Sequence, residues 1–113
     1  MQTPEHRLYN AAEDGKVDDV KEIIRQHPNI NINWCNDKGW TALHNASLKG
    51  HVDVCKVLIE HKHIRVNAVD NNGYTPLDRA ILNNRDEVKE LLLKNGAIAN
   101  KYYKDEDGYW IRK

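Results

Sequence analysis

The chain repeats itself with a period of 34 residues. The segment KGWTALHNASLKGHVDVCKVLIEH, from Lys38, lies in phase with NGYTPLDRAILNNRDEVKELLLKN, from Asn72. Gly39 falls on Gly73, Thr41 on Thr75, Leu43 on Leu77, Ala46 on Ala80, Val54 on Val88 and Leu58 on Leu92, all at an offset of 34. The preceding segment, RLYNAAEDGKVDDVKEIIRQH, joins at an offset of 35, with Leu8 before Leu43, Ala11 before Ala46, Gly15 before Gly50 and Val20 before Cys55. Gly108 follows Gly73 by 35. A unit this short cannot bury its apolar face alone, so units must stack and share a thin core.

Each unit reads locally as two helices and a loop. Thr41 and Thr75 are N-caps, whose side chains can accept from a free N–H two or three residues on. Pro76 then takes the first helical position, where its missing N–H costs nothing. The short first helix from Ala42 ends at Gly50, suited to a left-handed closing residue, and Asn84 holds that place in the third unit. A second helix follows near Asp53–His61, with Val54, Cys55, Leu58 and Ile59 on one face. A polar loop rich in Asn, Asp and Gly leads to the next unit.

Helix–turn–helix–loop units of this length resemble the ankyrin repeat. The residues that carry the likeness are Gly39-Trp40-Thr41-Ala42-Leu43-His44 with Ala46, then Gly50-His51, and Gly73-Tyr74-Thr75-Pro76-Leu77 with Ala80. It covers roughly residues 5 to 109 and implies an all-α ankyrin-repeat solenoid: stacked helix pairs, with loops projecting as β-hairpin fingers. The units run over about 5–36, 37–69 and 70–102 of a single 1–113 domain, and a 103–113 tail starts a further finger. The resemblance also implies a concave face made of fingers and first helices, with His44 bonding within and between loops.

Departures from the pattern fall at the ends. Asp19 and Glu22 stand where the middle unit has Val54 and Val57, as expected of an N-terminal cap. Lys89 stands in the place of Cys55, and marks a partial C-terminal cap. Asp78 replaces the expected His. The tail, KYYKDEDGYWIRK, either folds back on the last unit through Tyr102, Tyr103 and Trp110 or is a frayed remnant of a longer array.

Composition narrows the function. Seventeen basic and 17 acidic residues cancel, and residues 1–36, 37–70 and 71–113 carry −2, +1 and +1. Nucleic-acid and acidic-membrane binders need a surplus of positive charge, so neither is expected as a partner. The longest apolar runs, Val57-Leu58-Ile59 and Leu91-Leu92-Leu93, are too short to cross a bilayer, and the start has no signal-peptide pattern. Two cysteines suit a reducing compartment, so an intracellular chain is expected, in the cytoplasm or nucleus. Apolar content of 40%, charged content of 30% and a mean hydropathy of −0.80 agree with an elongated protein of large surface.

No catalytic constellation stands out, and neither a cofactor nor a metal is expected. His44 and His51 sit where the repeat pattern itself carries His. His61 and His63 alternate like a ligand pair, but at a helix end with no third ligand. Cys55 lies on an apolar face, and Cys35 is on a loop without a basic cluster to activate it. Asn33, Asn67 and Asn100 recur at the finger entrances; the resemblance makes them turn residues and, in some members, asparaginyl-hydroxylation targets.

The resemblance therefore points to a non-catalytic module that binds another protein, with a monomer expected. Its variable positions map to Asp37, Lys38 and Trp40, to Asn71, Asn72 and Tyr74, and to Glu106, Asp107 and Tyr109 on the fingers, and to Glu13, Asp14, Leu48, Lys49, Leu82 and Asn83 on the first helices. Of these Lys38, Trp40, Leu48, Lys49, Asn72, Tyr74, Leu82, Asn83 and Tyr109 are the expected contacts. Trp40, Tyr74 and Tyr109 follow their Gly in the same place, as a row of anchors or as covers for their own fingers. A stoichiometric inhibitor of an enzyme such as a kinase, and a scaffold segment of a larger ankyrin protein, are the alternatives.

Overall fold

The computed structural model describes residues 2–113. Among these residues six helices come in three pairs: α1 (Pro4–Glu13) with α2 (Val17–Gln26), α3 (Ala42–Lys49) with α4 (Val52–Ile59), and α5 (Pro76–Leu82) with α6 (Asp86–Lys94). First helices pack in the order α1–α3–α5 and second helices in the order α2–α4–α6. The result is an elongated body of 47 × 25 × 23 Å.

Helix starts are set by Thr. Thr3, Thr41 and Thr75 accept from the N–H of His6, His44 and Asp78 at 3.1–3.2 Å. The turn between the helices of each pair is equally regular. Gly15, Gly50 and Asn84 adopt φ of 71°, 79° and 56°. The left-handed residue lets the next N–H reach back: Lys16 to Ala11 O, His51 to Ala46 O and Arg85 to Ala80 O, at 2.9–3.0 Å. At Gly50 the position is also crowded, since a Cβ would lie 2.8 Å from Arg85 Cδ. The second helix of the middle unit runs over Val52–Ile59, shorter at its C-terminal end than the expected Asp53–His61.

The core follows the repeat. Leu8, Leu43 and Leu77, then Ala11, Ala46 and Ala80, then Ile23, Leu58 and Leu92, form successive buried layers. Asp19 and Glu22 are exposed, while Val54 is buried under its neighbours. At the other end Lys89 keeps its ammonium on Asp86 at 2.8 Å. Capping there is incomplete, because Leu82 and Leu93 stay 49% and 40% exposed.

The tail is folded. Strands β1 (Tyr102–Lys104) and β2 (Trp110–Arg112) pair antiparallel, with Tyr102 opposite Arg112 and Lys104 opposite Trp110. Tyr102 and Trp110 pack on the core, whereas Tyr103 points away with Ile111 and is exposed. Of the three aromatics expected to anchor the tail, Tyr103 does not. The chain is mostly helical, as expected, and its last finger is a β-hairpin. Among the described residues this hairpin is the one two-stranded sheet, and the finger at 36–40 reaches only an isolated Cys35–Thr41 bridge. All three fingers close with the same bond, Asn36 N–H to Trp40 O, Asp70 N–H to Tyr74 O and Asp105 N–H to Tyr109 O at 2.9–3.0 Å, and the third alone extends it into a ladder among the described residues.

Candidate functional site: the finger row and its cations

Each finger tip is built by one side chain. Asn36 Oδ1 accepts the N–H groups of Lys38 and Trp40 at 3.0 Å. Asp70 Oδ1 does the same for Asn72 and Tyr74, and Asp105 Oδ1 for Asp107 and Tyr109, at 2.8–3.0 Å. A side-chain acceptor that bonds N–H groups two and four residues on mimics a backbone turn and holds the ring-bearing residue in place. The three acceptors share the repeat offset and precede the finger Gly by three residues, so the signal was present in the sequence.

The rings at these tips are joined by cations. Arg79, from α5, places its guanidinium 5.2 Å from the Trp40 ring centroid and 4.2 Å from that of Tyr74. The same guanidinium bonds Asp70 Oδ2 through Nε at 2.9 Å and Nη2 at 2.6 Å. Lys38 lies 5.3 Å from the Trp40 ring. Past Tyr74 come Lys101 at 5.8 Å and Arg112 at 5.4 Å, and Arg112 continues to Tyr102 at 5.8 Å. The row therefore runs Lys38–Trp40–Arg79–Tyr74–Arg112–Tyr102. Tyr109 keeps the equivalent backbone place but stands 68% exposed at the hairpin tip. Among the described residues no cation lies on its ring, and the row turns to Tyr102 instead.

The other sequence-derived positions occupy a separate zone. Leu48 and Lys49 end α3, and Leu82 and Asn83 lie at the end of α5, while the fingers enter these helices at their first turns. Seven residues of helix separate the two zones by roughly 10 Å. Lys49, Leu82 and Asn83 are exposed, and Leu48 is half-buried, its carbonyl accepting from Arg85 Nε at 2.9 Å. Leu82 and Tyr109 both line a cleft of about 440 Å³ with Ile81, Tyr102 and Trp110.

Beneath the row lie polar residues that couple one unit to the next. Thr41 N–H donates to His44 Nδ1 at 3.2 Å, so the imidazole proton sits on Nε2 and is given to Tyr74 O at 2.9 Å. Burial pushes the His44 imidazole below its ordinary range. Asp78 takes the same helical position with the opposite polarity. It accepts Thr75 N–H at 2.8 Å, Asn100 N–H at 3.1 Å and Lys101 N–H at 2.9 Å. The next loop offers a carbonyl to the middle unit and N–H groups to the third, which is why an acid replaces the imidazole.

Asp70 has a buried carboxylate. Burial alone would raise its pKa, but the Tyr74 N–H, the Arg79 guanidinium and the Asn72 N–H outweigh it and hold the group below the ordinary carboxylate range. Both shifts act in the same direction. Where the unfolded chain binds more protons than the folded one, stability rises with pH. Stability is therefore expected to fall as pH drops below about 6.5, where the unfolded His44 protonates, and again below about 4, where Asp70 does. Urea titrations between pH 7.5 and 3 check this, and a flat profile between pH 7 and 5 would exclude the His44 contribution.

Asn33 and Asn67 clamp successive turns on the opposite edge. Asn33 bonds His63 O at 2.8 Å and Arg65 N–H at 2.9 Å, while Asn67 bonds Gly96 O at 3.2 Å and Ile98 N–H at 2.7 Å. Tyr9 Oη accepts from Asn36 Nδ2 at 2.9 Å and ties the first unit to the first finger. His61 and His63 rings lie 5.8 Å apart, and no cluster of three metal-ligating side chains occurs among the described residues. Cys55 is buried and its thiol is pushed up to about 12, whereas Cys35 is exposed. No helix among these residues is long and apolar enough to cross a membrane.

Comparison with known proteins agrees with this architecture. A 55-residue stretch is 33% identical to the target of rapamycin complex 2 subunit AVO2 of Saccharomyces cerevisiae, covering 49% of this chain and 13% of that protein. The model of the family described as ankyrin repeats (3 copies) matches residues 8–104. With that match over most of its length, and with three in-phase units, left-handed closures and stacked helix pairs, the chain belongs to the ankyrin-repeat family.

Proposed function

We propose that the chain is a short ankyrin solenoid that acts as a non-catalytic module, binding a partner protein along the concave face. The observation that carries this reading is the row in which Trp40 and Tyr74 are half-buried against Arg79 and still reach solvent. Rings held by neighbouring cations and by capped turns lose little freedom on binding, so the surface is pre-organised. Trp40 and Tyr74 are the anchors, Lys38 and Asn72 form the rim, and Leu48, Lys49, Leu82 and Asn83 extend the contact about 10 Å along the first helices. Tyr109 is the outermost contact, at the hairpin tip.

The yeast relative is, by its name, a subunit of a multiprotein complex. That favours an assembly role over inhibition of an enzyme, although the match covers too little of that protein to carry its complex across. The test is an affinity pulldown from the source cell with the wild-type chain and with Trp40→Ala/Tyr74→Ala, circular dichroism verifying that the variant is folded. A protein retained by wild type and lost by the variant is the expected result. Identical profiles would overturn the concave-face reading.

A further inference from the structure

We propose that two copies of this chain associate tail to tail, in place of the monomer expected from the sequence, each setting the Tyr109 ring into the other copy's cleft beside the end of α5. This does not depend on the Trp40 and Tyr74 anchors argued above. Seven large apolar side chains are exposed among the described residues, and six of them, from Leu82 to Ile111, belong to the third unit or the hairpin. The first unit presents Asp19 and Glu22 instead, in a hollow that Arg7, Asp14 and Lys16 also line. One end of the stack is therefore polar and the other apolar. Head-to-tail growth would set unlike faces together, whereas a two-fold contact joins the two apolar ends.

Cleft and ring come from the same few residues. The walls include Ile81, Leu82, Tyr102, Tyr109 and Trp110, with Lys89 among them. Tyr109 is the most exposed of the six apolar side chains, so it lines the cleft without filling it. Asp105 Oδ1 accepts its N–H at 2.8 Å, and a residue held in this way loses little freedom on insertion. Leu82, in the last turn of α5, gives an incoming ring an aliphatic wall.

Charge selects a second copy as the occupant. The hairpin strands and their end carry Lys104, Arg112 and Lys113, and the tip carries Asp105, Glu106 and Asp107. All but Asp105 are exposed, and none of the six forms an ion pair among the described residues. Lys104 lies over the ring of Trp110, a cleft wall, at 5.4 Å. A tip that brings Tyr109 into the cleft brings Glu106 and Asp107 toward Lys104 of the other copy. The two-fold axis repeats the pairing, so acidic tips meet basic strands twice. A partner of one sign would be repelled by half of the hairpin. An end of this 47 × 25 × 23 Å body offers roughly 500 Å², so two copies cover about 1,000 Å², near the lower limit for a specific interface. A micromolar dimer is expected, and it competes with the partner protein for Leu82 and Tyr109.

The experiment is sedimentation velocity of the wild-type chain between about 1 and 200 µM. The expected result is a shift from the 13.1 kDa monomer to twice that mass. Leu82→Ser/Tyr109→Ser should weaken the dimer at least about tenfold, and circular dichroism with the urea midpoint establishes that this variant is folded. Charge reversal supplies a second readout. Glu106→Lys/Asp107→Lys and Lys104→Glu/Lys113→Glu should each stay monomeric alone and dimerise when mixed. A wild-type chain that remains monomeric throughout would overturn the proposal and leave the cleft to a different protein. Growth beyond the dimer would overturn the two-fold arrangement. A dimer of undiminished strength in Leu82→Ser/Tyr109→Ser would overturn the exchange of rings. Charge variants that fail to pair when mixed, while wild type dimerises, would overturn the meeting of tips and strands.

Discussion

Asp78→Ala is expected to destabilise the chain by about 3 kcal/mol or more, the largest loss at any polar residue outside the row. The carboxylate is fully buried and accepts the N–H groups of Thr75, Asn100 and Lys101. Alanine leaves all three without a partner, and each buried unsatisfied donor costs roughly 1–3 kcal/mol. It also removes half of the capping box that starts α5. Asn keeps one carbonyl oxygen but turns an NH2 toward donors, so Asp78→Asn should lose about half as much. His at this position would suit the repeat pattern and still fail, because its Nε2–H would face the N–H groups of Asn100 and Lys101. Urea unfolding of the three variants is the measurement, and a shift of less than about 0.5 kcal/mol for Asp78→Ala would refute the donor–acceptor account.

Arg79→Ala is expected to cost about 3 kcal/mol, because it strands the buried Asp70 carboxylate. That carboxylate keeps the N–H groups of Asn72 and Tyr74 but loses both guanidinium bonds. The Trp40 and Tyr74 rings lose the planar group between them at the same time, so Trp40 emission should shift. Arg79→Lys retains a charge without the planar fork and should fall between alanine and wild type. A double-mutant cycle with Asp70→Asn isolates the ion pair from the stacking. If Asp70→Asn fully rescued Arg79→Ala, the cost would be the unpaired acid. Failure of Arg79→Ala to perturb either stability or Trp40 emission would mean that the column contributes nothing.

How much of this was legible beforehand can be seen residue by residue. The period, the Thr caps, the left-handed Asn84 and the buried Leu8–Leu43–Leu77 series were all readable, since each depends on local backbone chemistry or on a pattern that recurs in register. The finger-building acceptors Asn36, Asp70 and Asp105 were readable too, because each stands three residues before its finger Gly. Arg79 had no such signal. It aligns with Asn45, which is buried and leaves Oδ1 without a partner among the described residues, so nothing in the repeat marks that position as cationic. Arg112 and Lys101 belong to the tail, and their meeting with Tyr74 depends on how the hairpin returns to the third unit.

The sequence by itself therefore determined the unit: where helices begin, which face is apolar, how each turn closes and which tips carry rings. These are properties of a few adjacent residues and of their repetition every 34 or 35 positions. Only the tertiary structure decided what lies between units. It set His44 to donate and Asp78 to accept, put Arg79 between two rings 34 residues apart, and ended the row at Tyr102 rather than Tyr109. The physical reason is that such contacts join groups from different units. Their partners are chosen by the stacking geometry, and a local pattern holds no record of the neighbour it will meet.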